Sequence, residues 1–370
     1  MKKILFVSHT ANFAKFNYPF MRWFREKGWQ VDYASDGKEE VRDCAHSYTI
    51  SFERSPLNVK NIKAYKQLKD LIEKEQYNIV HCHTPVGGVL ARLAARTMRK
   101  HGTKVIYTGH GFHFFKGAPI LNWIIYYPIE KFVARYTDTI VTINEEDYNN
   151  AVNRKFPAKQ IKQINGVGVE LSRFKNVDEE EKELLRAQYG WSKDDFILIC
   201  VAEINKNKDQ IFMIKNLPVL KEQIPNIKVL FVGKGPKREE CEELIRKYKL
   251  ESVVHFLGYR SDVDKLLQVS DVLVSTSHRE GLAVNIIEAM AVGLPVVCAN
   301  TRGQRDLIKT EQNGFVYELN DRKSFCDYIT CLANNSSLRV KMGANNLKSV
   351  KKYSLEKSVD EMGKIYSQYM

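Results

Sequence analysis

Ten short apolar runs recur along the chain, at 3–8, 30–34, 78–82, 104–108 and 139–143, and after a gap at 196–202, 228–232, 253–257, 272–276 and 295–299. Most are near-continuous Ile, Val, Leu and Phe, the pattern of parallel strands covered on both faces. Amphipathic stretches lie between them. Residues 58–74 place Ile62, Tyr65, Leu68 and Ile72 on one helical face with lysines elsewhere, and 121–136 and 236–249 are similar. Alternation of this kind predicts an α/β fold of two Rossmann-like, doubly wound domains. The segment 172–195 is acidic, carries Glu179, Glu180 and Glu181, and interrupts the rhythm. The expected division is therefore 1–170, 171–353, and a last helix, 354–370, crossing back to the first domain. Such a fold takes its ligand in the interdomain cleft at the carboxyl ends of strands, so residues just after strands carry the most weight.

Composition narrows the function classes. The 370 residues are 44% hydrophobic and 11% aromatic, which excludes a mainly disordered chain. No run approaches the roughly 18 apolar residues of a membrane-spanning helix. The longest, 120–128 and 289–299, are broken by Asn122 and by Gly293 and Pro295. After Met1-Lys2-Lys3, the apolar stretch from Ile4 to Val7 is too short for a secretory signal. The seven cysteines are odd in number and form no Cys-x-x-Cys, so a reducing cytoplasm is expected and a disulfide framework is not. The net charge of +13 is uneven. Residues 1–165 hold 26 Lys+Arg against 15 Asp+Glu, and residues 166–370 hold 31 against 29. The basic first half implies an anionic partner: nucleic acid, an anionic membrane face or a phosphorylated substrate. No nucleic-acid-binding module is visible, so nucleic acid is not expected.

The sharpest local signal is Arg279-Glu280-Gly281-Leu282-Ala283-Val284-Asn285-Ile286-Ile287-Glu288, placed after the strand at 272–276 and opening a helix. Amides at a helix start favour a phosphate. Two nearby carboxylates suit the hydroxyls of a sugar or ribose. On spacing alone the same residues read equally as an acidic first turn plus one solvated glutamate.

Glu280-x7-Glu288 followed by Ala289-Met290-Ala291-x-Gly293-x-Pro295-Val296 resembles the signature of family-4 retaining glycosyltransferases with the GT-B fold, of the bacterial capsule and exopolysaccharide type. Asn165-Gly166-Val167-Gly168, Val232-Gly233-Lys234-Gly235, Phe256-Leu257-Gly258-Tyr259-Arg260, His81-Cys82-His83-Thr84-Pro85 and Gly109-His110-Gly111-Phe112-His113 resemble further segments of that family, in family order. The resemblance implies transfer of a hexosyl or N-acetylhexosaminyl group from a nucleotide-sugar donor, with uridine as the family tendency, to a lipid-linked or saccharide acceptor. It also implies no cofactor and no metal. Lys208 and the amides of Gly281, Leu282 and Ala283 would meet the departing diphosphate. Glu280 would hold sugar hydroxyls and Glu288 ribose hydroxyls, with Gly233 and Tyr259 in donor loops and His110 beside the donor sugar and acceptor. Two departures stand out. The first strand runs into Ser8-His9-Thr10-Ala11-Asn12 with no Gly-Gly pair, and Glu203 stands where the family carries Arg. Arg279 or Arg302 is the expected replacement cation.

Other features have plainer readings. His81 and His83 share a strand face, but no carboxylate or cysteine completes a metal set nearby. Asp262-Val263-Asp264 reads better as a helix start capped by Ser261 or Asp262 than as a manganese motif. Phe112, His113, Phe115, Lys116 and Trp123, with Trp23, Phe24, Arg22, Arg25 and Lys27, combine aromatics and cations as a lipid headgroup zone requires. They read equally as a packed helix and its capping loop. A peripheral position on the inner membrane face follows from the first reading. A UDP-sugar 2-epimerase and a non-catalytic nucleotide-sugar-binding subunit are the competing functions.

Overall fold

The computed structural model describes residues 1–37, 39–55 and 58–370. The chain divides into two compact units, Met1–Gly168 with Leu355–Met370, and Val169–Ser354. Each is built on one parallel sheet.

Among the described residues the first unit has seven strands, β1 (Lys3–Thr10), β2 (Gln30–Asp36), β3 (His46–Thr49), β4 (Ile79–His83), β5 (Lys104–Gly109), β6 (Thr139–Thr142) and β7 (Gln160–Gln163). Their order is β3-β2-β1-β4-β5-β6-β7. The second has β8 (Phe196–Val201), β9 (Ile227–Val232), β10 (Val254–Gly258), β11 (Val272–Ser275), β12 (Val296–Ala299) and β13 (Gly314–Tyr317), ordered β10-β9-β8-β11-β12-β13. In both, order reverses beside the first strand, the arrangement of a doubly wound sheet.

Three strands, β3, β7 and β13, fall outside the apolar runs of the sequence. All are four-residue edge strands. β3 and β7, His-Ser-Tyr-Thr and Gln-Ile-Lys-Gln, keep mostly polar side chains because one flank of an edge strand stays wet. The helix Asn61–Glu75 buries Ala64, Leu68, Leu71 and Ile72, whereas Ile62 is exposed, so its apolar face is turned from the expected one.

The terminal helix, Leu355–Ser367, belongs to the first unit. Tyr366 is fully buried 4.7 Å from the Phe24 ring, and its hydroxyl lies 2.8 Å from Nδ1 of His81. Ser358 Oγ donates to the Gly166 carbonyl, and Glu361 accepts from the amide and side chain of Asn165. Trp23 and Phe24 pack under this helix, which corrects their reading as lipid-facing residues: Phe24 is fully buried and Trp23 lies 5.5 Å from Tyr366.

A buried ion pair crosses the same unit. Arg92 Nη2 lies 2.7 Å from Glu130 Oε2, Tyr107 donates its hydroxyl to Glu130 Oε1, and the Arg92 guanidinium lies 3.8 Å over the Tyr107 ring. Removing one partner leaves an uncompensated buried charge. Glu130→Ala is therefore expected to lower stability in urea denaturation by about 3 kcal/mol. A loss under about 0.5 kcal/mol would show that the pair contributes nothing.

Candidate active site

In a parallel sheet every strand delivers its carboxyl end to one edge, so in the second unit the loops after β8, β9, β11 and β12 meet there. The loop after β8 is shaped by its own polar side chains. Asn205 Oδ1 accepts from the amides of Asn207 and Lys208, each at 3.0 Å. Asp209, at φ 48°, caps the helix Gln210–Gln223 by accepting from the Phe212 amide. Lys208 is thereby directed to the loop after β11, where its ammonium forms an ion pair with the Glu280 carboxylate. Further bonds join these loops: Asn207 Nδ2 donates to the Arg279 carbonyl at 3.0 Å, Thr276 Oγ1 donates to the Lys208 carbonyl at 2.6 Å, and the His278 amide donates to the Asn207 carbonyl at 2.8 Å. His278 Nε2 lies 2.8 Å from Asp209 Oδ2.

The short helix Arg302–Arg305, which follows β12, holds Glu280 from behind. Arg302 is buried and its Nε donates to the Glu280 carbonyl at 3.1 Å. Gly303 lies so close that a Cβ there would come within 2.4 Å of the Gly281 carbonyl oxygen. Gly233, at φ 144°, is similarly required, since its Cβ would lie 2.1 Å from the Ala202 carbonyl oxygen. Gly281, Leu282 and Ala283 then lead into the helix Val284–Ala291. Ala283 sits at its N-cap and offers no side-chain cap, and the Ile286 amide of the first turn donates instead to Asn285 Oδ1 at 3.0 Å. Asn285 Nδ2 ties the first turn to the Val201 carbonyl at the end of β8. Glu288 lies about one turn in, and burial pushes its carboxyl up to about 7, partly offset by Arg173.

The sequence-derived residues of this unit thus separate. Lys208, Glu280, Gly281, Leu282, Ala283 and Arg302 come together. Arg302 acts on the backbone of Glu280, whereas the Arg279 side chain is exposed. Tyr259 is 81% exposed, and Glu203 is exposed. Asp262 is not a side-chain cap: Arg260 holds its carboxylate with two bonds, at 2.8 and 2.6 Å, and keeps it well below the usual carboxylate range. Asn205, Asn207, Asp209, Thr276 and Asn285 were not singled out in the sequence. The Asn-Lys-Asn-Lys-Asp run was their visible signal, since Asn and Asp favour turns by bonding local backbone.

In the first unit, His9, His83 and His110 lie at the carboxyl ends of β1, β4 and β5, three neighbouring strands. His83 Nδ1 lies 3.1 Å from His110 Nε2, and the Phe13 ring meets His110 edge-on at 4.8 Å. Burial lowers the His110 imidazole to about 4 and His83 well below its ordinary value. His81 is spoken for at both nitrogens, by Thr108 Oγ1 and the Tyr366 hydroxyl. Among the described residues no group of three His, Cys, Asp or Glu is placed to hold a metal ion.

The aromatic loop is mostly core, which corrects its reading as a lipid-facing surface. Phe112 is 3% exposed and stacks on Phe114 at 4.8 Å. His113 stacks on Tyr126 at 4.4 Å, and Trp123 packs on Phe114 at 5.5 Å under Arg154. Phe115 is half-buried, and Lys116 alone of the five is exposed.

Comparison with known proteins gives the family. The family description "Glycosyl transferase 4-like" matches residues 3–144, and "Glycosyl transferases group 1" matches residues 181–349. EpsD of Bacillus subtilis (strain 168), named as a glycosyltransferase, is 42% identical over 370 residues, covering 100% of this chain and 97% of EpsD. The chain belongs to the family-4 glycosyltransferases of the GT-B fold. An Escherichia coli relative of this glycosyltransferase, UDP-Gal:alpha-D-GlcNAc-diphosphoundecaprenol alpha-1,3-galactosyltransferase, is 28% identical over 92% of this chain and 87% of its own. The crystal structure of Anabaena HepE in complex with UDP and glucose superposes with a TM-score of 0.82 over 100% of both chains at 16% identity, a likeness of fold.

The raised Glu288 carboxyl gives the glycosyltransferase a signature in pH. Below an unfolded value near 4.5 the group is protonated in both states and contributes nothing. Between about 4.5 and about 7 the unfolded chain loses the proton that the folded one keeps, so stability falls as pH rises. Glu288→Gln is expected to abolish that decline, worth about 1–2 kcal/mol once residual solvation of the carboxyl is allowed for. Denaturation curves from pH 5 to 8 test it, and an unchanged decline in the variant would assign it elsewhere.

Proposed function

We propose that this glycosyltransferase moves a hexosyl or N-acetylhexosaminyl group, with retention, from a uridine diphosphate sugar to a lipid-linked saccharide in bacterial surface polysaccharide synthesis. The observation that carries the reading is the Lys208–Glu280 pair beside the segment Gly281 to Ala283 that leads into the helix Val284–Ala291. The donor base is supported by the fold shared with the UDP-bound HepE structure. The acceptor class is supported by relatives named for diphosphoundecaprenol acceptors, in Escherichia coli and in Campylobacter jejuni.

Cleavage of the anomeric bond leaves negative charge on a diphosphate, and catalysis needs cations and oriented N–H groups where that charge appears. Lys208 and the amides of Gly281 to Ala283 supply both. Glu280 accepts from sugar hydroxyls and Glu288 from ribose hydroxyls. Retention follows a front-face route in which the leaving phosphate helps to take the acceptor proton, and no metal takes part. A 2-epimerase needs no saccharide acceptor and is disfavoured by the relatives' names. Glu280→Ala and Lys208→Ala are each expected to lower kcat about 10²- to 10³-fold in a labelled-sugar transfer assay. Wild-type turnover by Glu280→Ala would remove that residue from the site. EDTA is expected to leave turnover unchanged, and a strict manganese requirement would overturn the metal-free route.

A lipid-linked acceptor requires approach to a bilayer, and we assign that contact to the helix Ile120–Val133. It exposes Ile120 by 77%, Leu121 by 63%, Ile124 by 64% and Phe132 by 47%, and Pro128 continues the stripe at four-residue spacing. Cations fringe it: Lys116 is exposed, Lys131 lies over Tyr127 and Arg135 over Phe132. Residues 76–137 hold eight Lys+Arg against one acid, Glu130, which Arg92 neutralises; just beyond, Asp138 pairs with Arg99 and Lys159, and Glu145 and Glu146 follow. An apolar stripe with a basic fringe fits an anionic bilayer. Vesicles of phosphatidylglycerol are expected to co-float the protein, with binding weakened by salt and reduced about tenfold or more by Ile120→Ser, Leu121→Ser and Ile124→Ser together. Equal binding by the triple variant, or a dimer that this variant dissolves, would reassign the face.

A further inference from the structure

We propose that His83 is a positioning residue that fixes which ring nitrogen of His110 carries its proton. The two residues come from neighbouring strands, with His83 opposite Thr108 in the β4–β5 register and His110 two residues beyond it. Their 3.1 Å contact joins Nδ1 of His83 to Nε2 of His110, so one nitrogen donates and the other accepts.

The other nitrogen of His83 decides which. Its Nε2 is buried and has no hydrogen-bond partner among the described residues. The ring is closed in by His81 at 4.2 Å, Phe13 at 5.6 Å and Phe6, stacked at 6.3 Å. A proton on Nε2 would be a buried donor with nothing to donate to. A bare acceptor lone pair in the same place is the commoner arrangement, because orphaned buried N–H groups are rarer than under-satisfied acceptors. A doubly protonated ring is opposed by burial and by the imidazoles of His81 and His110 beside it. Neutral His83 therefore keeps its proton on Nδ1 and donates it to Nε2 of His110.

The consequence falls on His110. With Nε2 accepting, its own proton sits on Nδ1, which makes no hydrogen bond to any described residue. His110 thus offers a bound ligand an N–H donor from Nδ1, and cannot offer one from Nε2 while His83 stays in place. The second ring nitrogen sets the chemistry of the first, the usual logic of paired imidazoles. That the ligand is a sugar or acceptor hydroxyl rests on the transferase reading above, whereas the protonation pattern does not.

The test reads the proton directly. In ¹⁵N-histidine-labelled protein, long-range ¹H–¹⁵N spectra distinguish the two neutral tautomers, and His110→Gln assigns the His110 signals. The wild type is expected to show His110 protonated on Nδ1. His83→Leu is expected to shift it toward Nε2–H and to lower kcat about tenfold while donor KM stays within about twofold. His83→Asn, whose amide nitrogen replaces Nδ1–H, is expected to restore the Nδ1–H form and most of kcat. A wild-type His110 protonated on Nε2 would overturn the proposal, even if His83→Leu failed to fold. An unchanged tautomer in folded His83→Leu would also overturn it. If the tautomers behave as expected but no donor sugar is transferred by any form, the positioning role stands and the transferase reading falls.

Discussion

The ion pair between Lys208 and Glu280 is the contact on which the second unit's site depends. It joins loops that leave two separate strands, β8 and β11, and neither loop is fixed by secondary structure of its own. Lys208 is 22% and Glu280 13% exposed at the side chain, so each charge has lost much of its water and needs the other. The surrounding bonds have the same logic. Asn205 turns the chain so that Lys208 arrives, and Asn207 and Thr276 stitch the loop backbones together. Arg302 and Gly303 hold Glu280 and Gly281 from the short helix after β12. Under the proposed function, a diphosphate entering here meets a cation and carboxylate already at their posts, with little reorganisation left to perform during reaction.

The first unit solves a related problem with neutral groups. Its strand ends carry imidazoles instead of ion pairs, and burial keeps His81 at about 3 and His110 at about 4, so both are uncharged near neutrality. The terminal helix is part of that arrangement, since Tyr366 occupies one nitrogen of His81 while packing on Phe24. Buried charge in this unit is kept away from the imidazoles, as in the Arg92–Glu130 pair, and most of its lysines and arginines lie outside, around the apolar stripe from Ile120 to Phe132.

Much of this was legible in the residues themselves. Strands such as Phe196–Val201 announce a doubly covered parallel sheet because nothing polar can sit in them. The Glu280–Glu288 spacing and Lys208 were visible as motif residues. The edge strands were not, because half-wet strands need no apolar run. Phe112 and Trp123 were misread as surface because aromatic residues look alike in sequence whether they pack inward or outward. Ile120, Leu121 and Ile124 lay in an evident apolar run, yet only the packing of Trp123 and Tyr127 inward shows which members of the helix remain outside. The bracing role of Arg302 was equally hidden: a sequence gives the cation but not the carbonyl it holds.

Where a nucleoside diphosphate binds tests the proposed site most directly. A crystal structure of the protein grown with UDP is expected to place phosphate oxygens within hydrogen-bond reach of Lys208 Nζ and the amides of Gly281 to Ala283, with ribose hydroxyls on the Glu288 carboxylate. UDP ordered elsewhere, with Lys208 and Glu280 still paired and untouched, would contradict it.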